Sequence, residues 1–269
     1  MPCFNAGTLR QTILRMAHAG QSVHVPCALS LVDIFSILYR KYLRYDPVNP
    51  RWPGRDYVVL SKGHGVMAQY ACLHQLGWIA DAQISGYFSD GSSLKGLSDA
   101  HVPGVEVSSG SLGHGLSVGV GLALAARRAG TDQRCFAIVG DGELNEGSVW
   151  EALLFAGHFQ LSNLVVIVDE NGQQAMGRTA AVMDLGDVAA KFSAFGLEVR
   201  RADGHDEDAL DRTLQDLIAL PGTRPRALVA RTVKGKGVSF MEDDNRWHYT
   251  RLSAETFARA MRELEGAGS

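Results

Sequence analysis

Two successive apolar runs each end in a side chain that offers oxygen. The run CFAIV (135–139) stops at Gly140-Asp141-Gly142, and LVVIV (164–168) runs into Asp169-Glu170-Asn171-Gly172. Asp141 brings one negative charge and Asn171 a neutral amide oxygen. The main-chain carbonyl of Gln173, two residues on, adds a third oxygen. A small set of protein oxygens that leaves positions open for phosphates and water suits Mg²⁺. Gly140 and Gly142 put no side chain in the way of a diphosphate, and the helix that follows presents free N–H groups to that anion. Gly-Asp-Gly alone also reads as a plain strand–turn–helix with a solvated aspartate. The second oxygen ligand, one helix and one strand later, makes a Mg²⁺–diphosphate site the sharper reading.

Other residues carry chemistry with a bland reading beside it. His64 lies between glycines in Ser61-Lys62-Gly63-His64-Gly65, where it donates to a phosphate without steric interference or serves as a turn histidine. Lys62 in the same turn is expected to face solvent or a partner. His24 sits in a connection before an apolar helix and reads equally as a loop histidine bonded to backbone. Glu143 and Glu146 fall in the first turn after Gly142, where carboxylates favour the helix dipole; Glu143 is left as structural. Cys72 and Cys135 lie in apolar patterns and read as small core residues.

The elements that position these groups follow from periodicity. Val149, Leu153, Ala156 and Phe159 recur three or four residues apart, which predicts a helix between the two apolar strands. Strand–helix–strand implies parallel neighbours joined by a right-handed crossover, so Asp141 and Asn171 share the carboxyl edge, where open α/β sheets bind ligands. Further strands are expected at YVVL (57–60), EVRRAD (198–203) and RALVARTV (226–233). Helices are expected over 8–20, from Leu29 to Tyr42, over the small-residue run 116–130, near Leu185 to Phe195, from Asp208 to Ile218, and along the C-terminal tail. Between Ile84 and Gly115 the chain is Gly- and Ser-rich without helical period, and a loop that long inside a compact domain is usually functional or disordered. Together these predict one α/β domain over residues 1–269, a three-layer doubly wound parallel sheet.

At this point a resemblance is plain. GDGELNEG followed by SVWEA and an Asn-ended strand resembles the thiamine-diphosphate motif of transketolases. SKGHG resembles their diphosphate-contacting turn, PGVEVSSGSLGHG their PGVEVTTGPLGQG stretch, and TVKGKGVSFMEDDNRWHY their TxKGKGVSFMENxxxWH segment. The resemblance implies a thiamine-diphosphate fold with Mg²⁺ held by Asp141, Asn171 and the Gln173 carbonyl. It implies that His64, Gly142 and His248 contact the diphosphate, with Gly140 beside them, that the backbone of Gly110-Ser111-Leu112 lies along the cofactor, and that Leu112 walls the thiazolium ring. It places His24, His101 and His248 along the donor channel, and Glu146 near a subunit interface in water-linked contact with the partner's activating glutamate. Pro26, Cys27, His101 and His114 depart from the family pattern, which raises a specialised substrate, such as a modified sugar.

The resemblance covers the diphosphate-binding third to half of a transketolase and not the pyrimidine-binding domain. It therefore implies the N-terminal subunit of a split enzyme that moves a two-carbon ketol unit from a ketose to an aldose. The implied partner is a C-terminal subunit carrying the pyrimidine domain, in a heterotetramer acting on sugars or sugar phosphates. Alternatives are a subunit of deoxyxylulose-phosphate synthase or 2-oxo acid dehydrogenase type, or a non-catalytic regulatory remnant.

Net charge is −3 over 269 residues, which gives no electrostatic case for nucleic acid or an anionic membrane. Four scattered cysteines form no zinc or redox spacing and fit a reducing compartment. The N-terminus lacks a basic start and a continuous apolar core, and no apolar run has transmembrane length. A cytoplasmic location is expected.

Overall fold

The computed structural model describes residues 2–266. Five strands, β1 (Tyr57–Leu60), β2 (Cys135–Gly140), β3 (Leu164–Glu170), β6 (Glu198–Asp203) and β7 (Arg226–Arg231), form one sheet in the order β1-β2-β3-β7-β6. All neighbours are parallel. A two-residue hairpin, β4 (Gln173–Gln174) with β5 (Gly177–Arg178), leaves the end of β3. The expected fold class and all five expected strands are present. The central strands are buried on both faces, which is why they read as unbroken Val/Ile/Ala/Leu runs rather than alternating ones. The edge strand β6 alternates less cleanly and exposes Arg200 and Arg201.

Helices cover both faces. On one lie α1 (Ala6–Ala19), α2 (Val25–Leu29), α3 (Val32–Ile37), α4 (Val66–Gln75), α10 (Glu207–Ala219) and α11 (Ala254–Gly266), packed through Leu9, Ile13, Phe35, Tyr70 and Leu214 onto Phe136, Ile138 and Ile167. On the other lie α6 (His114–Arg128), α7 (Gly147–His158) and α9 (Val188–Ala194), packed through Leu116, Val149, Leu153 and Phe192 onto Ala137, Val139 and Val166. The short helices α5 (Asp81–Ser85) and α8 (Thr179–Met183) lie in the connections.

Two local expectations change. The single helix expected from Leu29 to Tyr42 is three pieces: α2, α3 and a π-turn at Leu38–Tyr42. Every residue from Val25 to Tyr39 is buried, so no apolar stripe marks the break. At that break the Ser30 hydroxyl reaches Asp169 of β3 at 2.8 Å. The helix after Gly142 also starts later than expected. A 3-10 turn, Gly142–Asn145, intervenes, and α7 begins at Gly147. The N–H groups next to Asp141 therefore belong to that turn.

Candidate active site

Strands β1, β2 and β3 end together, and the register pairs Gly140 with Asp169. Asp141 and Asn171 consequently face one cavity of about 480 Å³ at the carboxyl edge, lined also by His24, Cys27, His64 and His248. Asp141 is clamped between the two strand ends. Its Oδ1 accepts from Gly142 N at 2.7 Å and its Oδ2 from Gly172 N at 2.5 Å. Burial, then the negative charge of Asp169, pushes its carboxyl up to about 7 despite those two N–H groups. Asn171 Oδ1 accepts from Gln173 N at 3.1 Å, and its amide nitrogen donates to Asp169 at 3.2 Å. Gln173 lines the same cavity, and its buried Oε1 has no hydrogen-bond partner.

Beneath these residues are two buried hubs that sequence reasoning missed. Asp169 is fully buried and accepts from Ser30, Asn171, Thr232 and Lys62. Lys62 is thus not at the surface. It is 2% exposed and ion-paired to Asp169, because the turn after β1 folds back across the ends of β2 and β3. Burial opposes both charges, yet Lys62 holds the Asp169 carboxyl below its ordinary range and Asp169 holds the ammonium above its own.

The second hub is Glu143, also 2% exposed. Its carboxylate accepts from Ser61 Oγ at 2.5 Å, Gly113 N at 2.8 Å and Gly140 N at 3.1 Å. It ties the ends of β1 and β2 to the loop before α6, so a residue that reads as a first-turn dipole partner is a three-loop staple. Two glycines allow this crossing. A Cβ on Gly63 would lie 2.3 Å from the Ser109 carbonyl oxygen, and Gly113 has φ +85° beside Ser148 and Glu146, a conformation side chains disfavour.

Three imidazoles cluster over the cavity. The ring centroids of His24 lie 5.2 Å from His64 and 5.0 Å from His248, and His64 lies 6.0 Å from His248. His24 has φ 65° at the start of α2, and its N–H donates to the His248 carbonyl at 3.1 Å. Burial first, then the charges of Lys62 and Lys234 among their neighbours, holds all three imidazoles below the ordinary histidine range, His248 at about 3. They are neutral, and each carries one N–H donor.

The remaining sequence-predicted residues divide. Gly110, Leu112, Gly140, Gly142 and Glu146 line the cavity. Glu146 is exposed at its rim, and its carboxylate has no hydrogen-bond partner among the described residues. Ser111 is exposed and faces an adjoining recess with His114. His101 is not brought to the cavity. Its backbone N and ring Nδ1 both bond Asp99 Oδ1, at 3.0 and 2.7 Å, which leaves the ring 92% exposed. The His114 Nδ1 contacts the Leu112 carbonyl at 3.1 Å, a bond of the loop to itself. A larger open groove of about 690 Å³ runs along the ends of β6 and β7. Its Arg201 is already paired with Glu170 and Asp187, and its His205 with Asp33, so it offers less unmet chemistry than the smaller cavity.

The cavity thus offers neutral N–H donors, a carboxylate that favours a nearby cation, and an unpartnered buried amide oxygen. Those groups fit a diphosphate with its counter-ion. Comparison with known proteins agrees. Residues 5–267 match the family described as transketolase, thiamine diphosphate binding domain. The chain is 37% identical over 257 residues to one of the two subunits of apulose-4-phosphate transketolase from Actinobacillus succinogenes, covering 95% of this chain and 92% of that one. It is 36% identical over 247 residues to a 6-deoxy-6-sulfo-D-fructose transketolase subunit of a Clostridium species, covering 91% and 90%. The crystal structure of Campylobacter jejuni transketolase superposes with a TM-score of 0.89 at 30% identity, covering 97% of this chain and 42% of that one. The chain spans about two fifths of the length of such full transketolases and nearly all of the relatives that are themselves subunits. The chain belongs to the transketolase family and corresponds along its length to the N-terminal, thiamine-diphosphate-binding subunit of the two-chain transketolases.

Proposed function

We propose that this chain is one component of a two-component, Mg²⁺- and thiamine-diphosphate-dependent transketolase that moves a two-carbon ketol unit from a ketose to an aldose. The observation that carries this reading is the pairing of Asp141 and Asn171 on adjacent strand ends, beside three neutral imidazoles in one cavity. Asp141, Asn171 and the Gln173 carbonyl would hold the cation. Among the described residues no three His, Cys, Asp or Glu side chains converge as a metal cage, so the cation would share amide, backbone, phosphate and water oxygens, a shell that suits Mg²⁺. The raised Asp141 carboxyl supports a cation there, because a positive charge offsets the burial that disfavours its anion.

When bound, thiamine diphosphate supplies an acidic thiazolium carbon and an electron sink for cleaving the bond next to a ketone. The residues of this chain bind and orient. His64 and His248 donate N–H groups to the diphosphate, and Gly140 and Gly142 admit it to the backbone. Leu112 supplies an apolar wall. His24 and His248 donate to hydroxyls of the ketose, with His101 a further donor-channel residue only if its segment turns inward. Neutral imidazoles bind such hydroxyls without fixing a charge against Lys62 and Lys234. No group here is placed to activate the aminopyrimidine; that role falls to a C-terminal partner subunit. Two copies of each component would form a heterotetramer in the cytoplasm, with Glu146 at the rim facing the partner. The relatives named for apulose 4-phosphate and a sulfofructose support a ketose outside the common sugar phosphates as the donor.

Calorimetric titration of thiamine diphosphate with Mg²⁺ into the purified two-subunit complex tests this site. Asp141→Ala is expected to abolish binding while the chain keeps its folded circular-dichroism spectrum. A variant that binds normally would sink the assignment.

A further inference from the structure

Cys27 stands where the sequence departs from its family, and it is 3% exposed in the first turn of α2. Its Sγ lies 3.6 Å from Nδ1 of His248, across the cavity wall that both residues line. Among the described residues no other group bonds the His248 ring: its carbonyl takes the His24 N–H, and Nε2 has no protein hydrogen-bond partner. The direction of the contact follows from the protonation of its two members. Burial raises the Cys27 thiol above its ordinary range, outweighing the nearby Lys62 and Lys234, so sulfur keeps its proton. Burial, Lys234, His24 and Lys62 hold His248 neutral. A neutral imidazole has one donor and one acceptor nitrogen, and a thiol is a weak donor. The S–H must therefore donate and Nδ1 must accept.

We propose that Cys27 is a positioning residue that donates its S–H to Nδ1 of His248, fixing the imidazole as the Nε2–H tautomer and leaving that N–H for a ligand in the cavity. Without the thiol, either nitrogen can carry the proton, and part of the population presents a lone pair where a donor is needed. The tautomer itself is a property of the chain alone; its consequence for turnover rests on the ketol-transfer reading above.

The test is long-range ¹H–¹⁵N correlation of the histidine rings in the full chain, with His248 assigned by loss of its signals in His248→Gln. The wild type is expected to show a protonated Nε2 and an unprotonated Nδ1. In Cys27→Ala the two nitrogen shifts should move toward each other as the tautomers mix, while Cys27→Ser, which keeps a donor, should hold the wild-type pattern. In the two-subunit complex Cys27→Ala should lose roughly threefold to tenfold in kcat/KM, the span of one neutral hydrogen bond, and Cys27→Ser should recover most of it. A protonated Nδ1 in the wild type, two protonated nitrogens, or a Cys27→Ala spectrum identical to wild type would overturn the proposal. If Cys27→Ala does not fold, the wild-type and Cys27→Ser spectra still decide it. The expected tautomer together with a complex that never transfers a ketol unit would leave the inference standing and remove the function.

Discussion

Glu143 and Ser61 are joined by a hydrogen bond of 2.5 Å between the turn after β2 and the end of β1. The same carboxylate accepts from Gly113 and Gly140, so one buried side chain fixes the mutual position of three cofactor loops. Glu143→Ala strands a hydroxyl and two N–H groups in the interior and should cost about 2–5 kcal/mol. Glu143→Gln keeps the shape but sets an amide N–H₂ against one donor, and should cost about 1–3 kcal/mol. Urea unfolding of the chain measures both. Equal stability of the two variants would contradict the staple.

Lys62 and Asp169 form the buried pair below the site. Removing one member of such a pair leaves an uncompensated charge, which costs about 3–5 kcal/mol. Lys62→Met should therefore destabilise the chain by that order, and Lys62→Met with Asp169→Leu should recover part of it. A Lys62→Met chain as stable as wild type would place the lysine at the surface after all.

The imidazoles set the pH response. His24, His64 and His248 all titrate below the unfolded value of 6.5, so below that pH the unfolded chain binds more protons than the folded one. Their stabilising contribution is fully present above 6.5 and is lost as pH falls toward the folded values, about 3 for His248. The urea midpoint of the cofactor-free chain should drop between about pH 7.5 and about pH 5.5, and His248→Gln should drop less. A midpoint that rises on acidification would contradict neutral imidazoles.

Much of this was legible in the sequence because its signals are local. Asp141 and Asn171 each follow a strand buried on both faces, and such strands announce themselves as apolar runs. Once the two runs are parallel neighbours, their ends must meet. His24, His64 and His248 came from motif resemblance, and the structure gathers them. Lys62 was not legible. A lysine in a Gly/Ser turn reads as solvated unless its partner is known, and that partner, Asp169, lies on another strand with Ser30 and Thr232 around it. Glu143 misled for the same reason: a first-turn carboxylate has a sufficient local explanation. The break after Leu29 was hidden by burial on every side, and the outward turn of His101 depends on Asp99, a neighbour that motif alignment does not weigh.

The most direct measurement is ketol transfer from a ketose phosphate by this chain, alone and co-purified with a C-terminal transketolase subunit, with and without thiamine diphosphate and Mg²⁺. The account predicts turnover only when both chains and both cofactors are present. Turnover by this chain alone, or by the complex stripped of thiamine diphosphate, would contradict it.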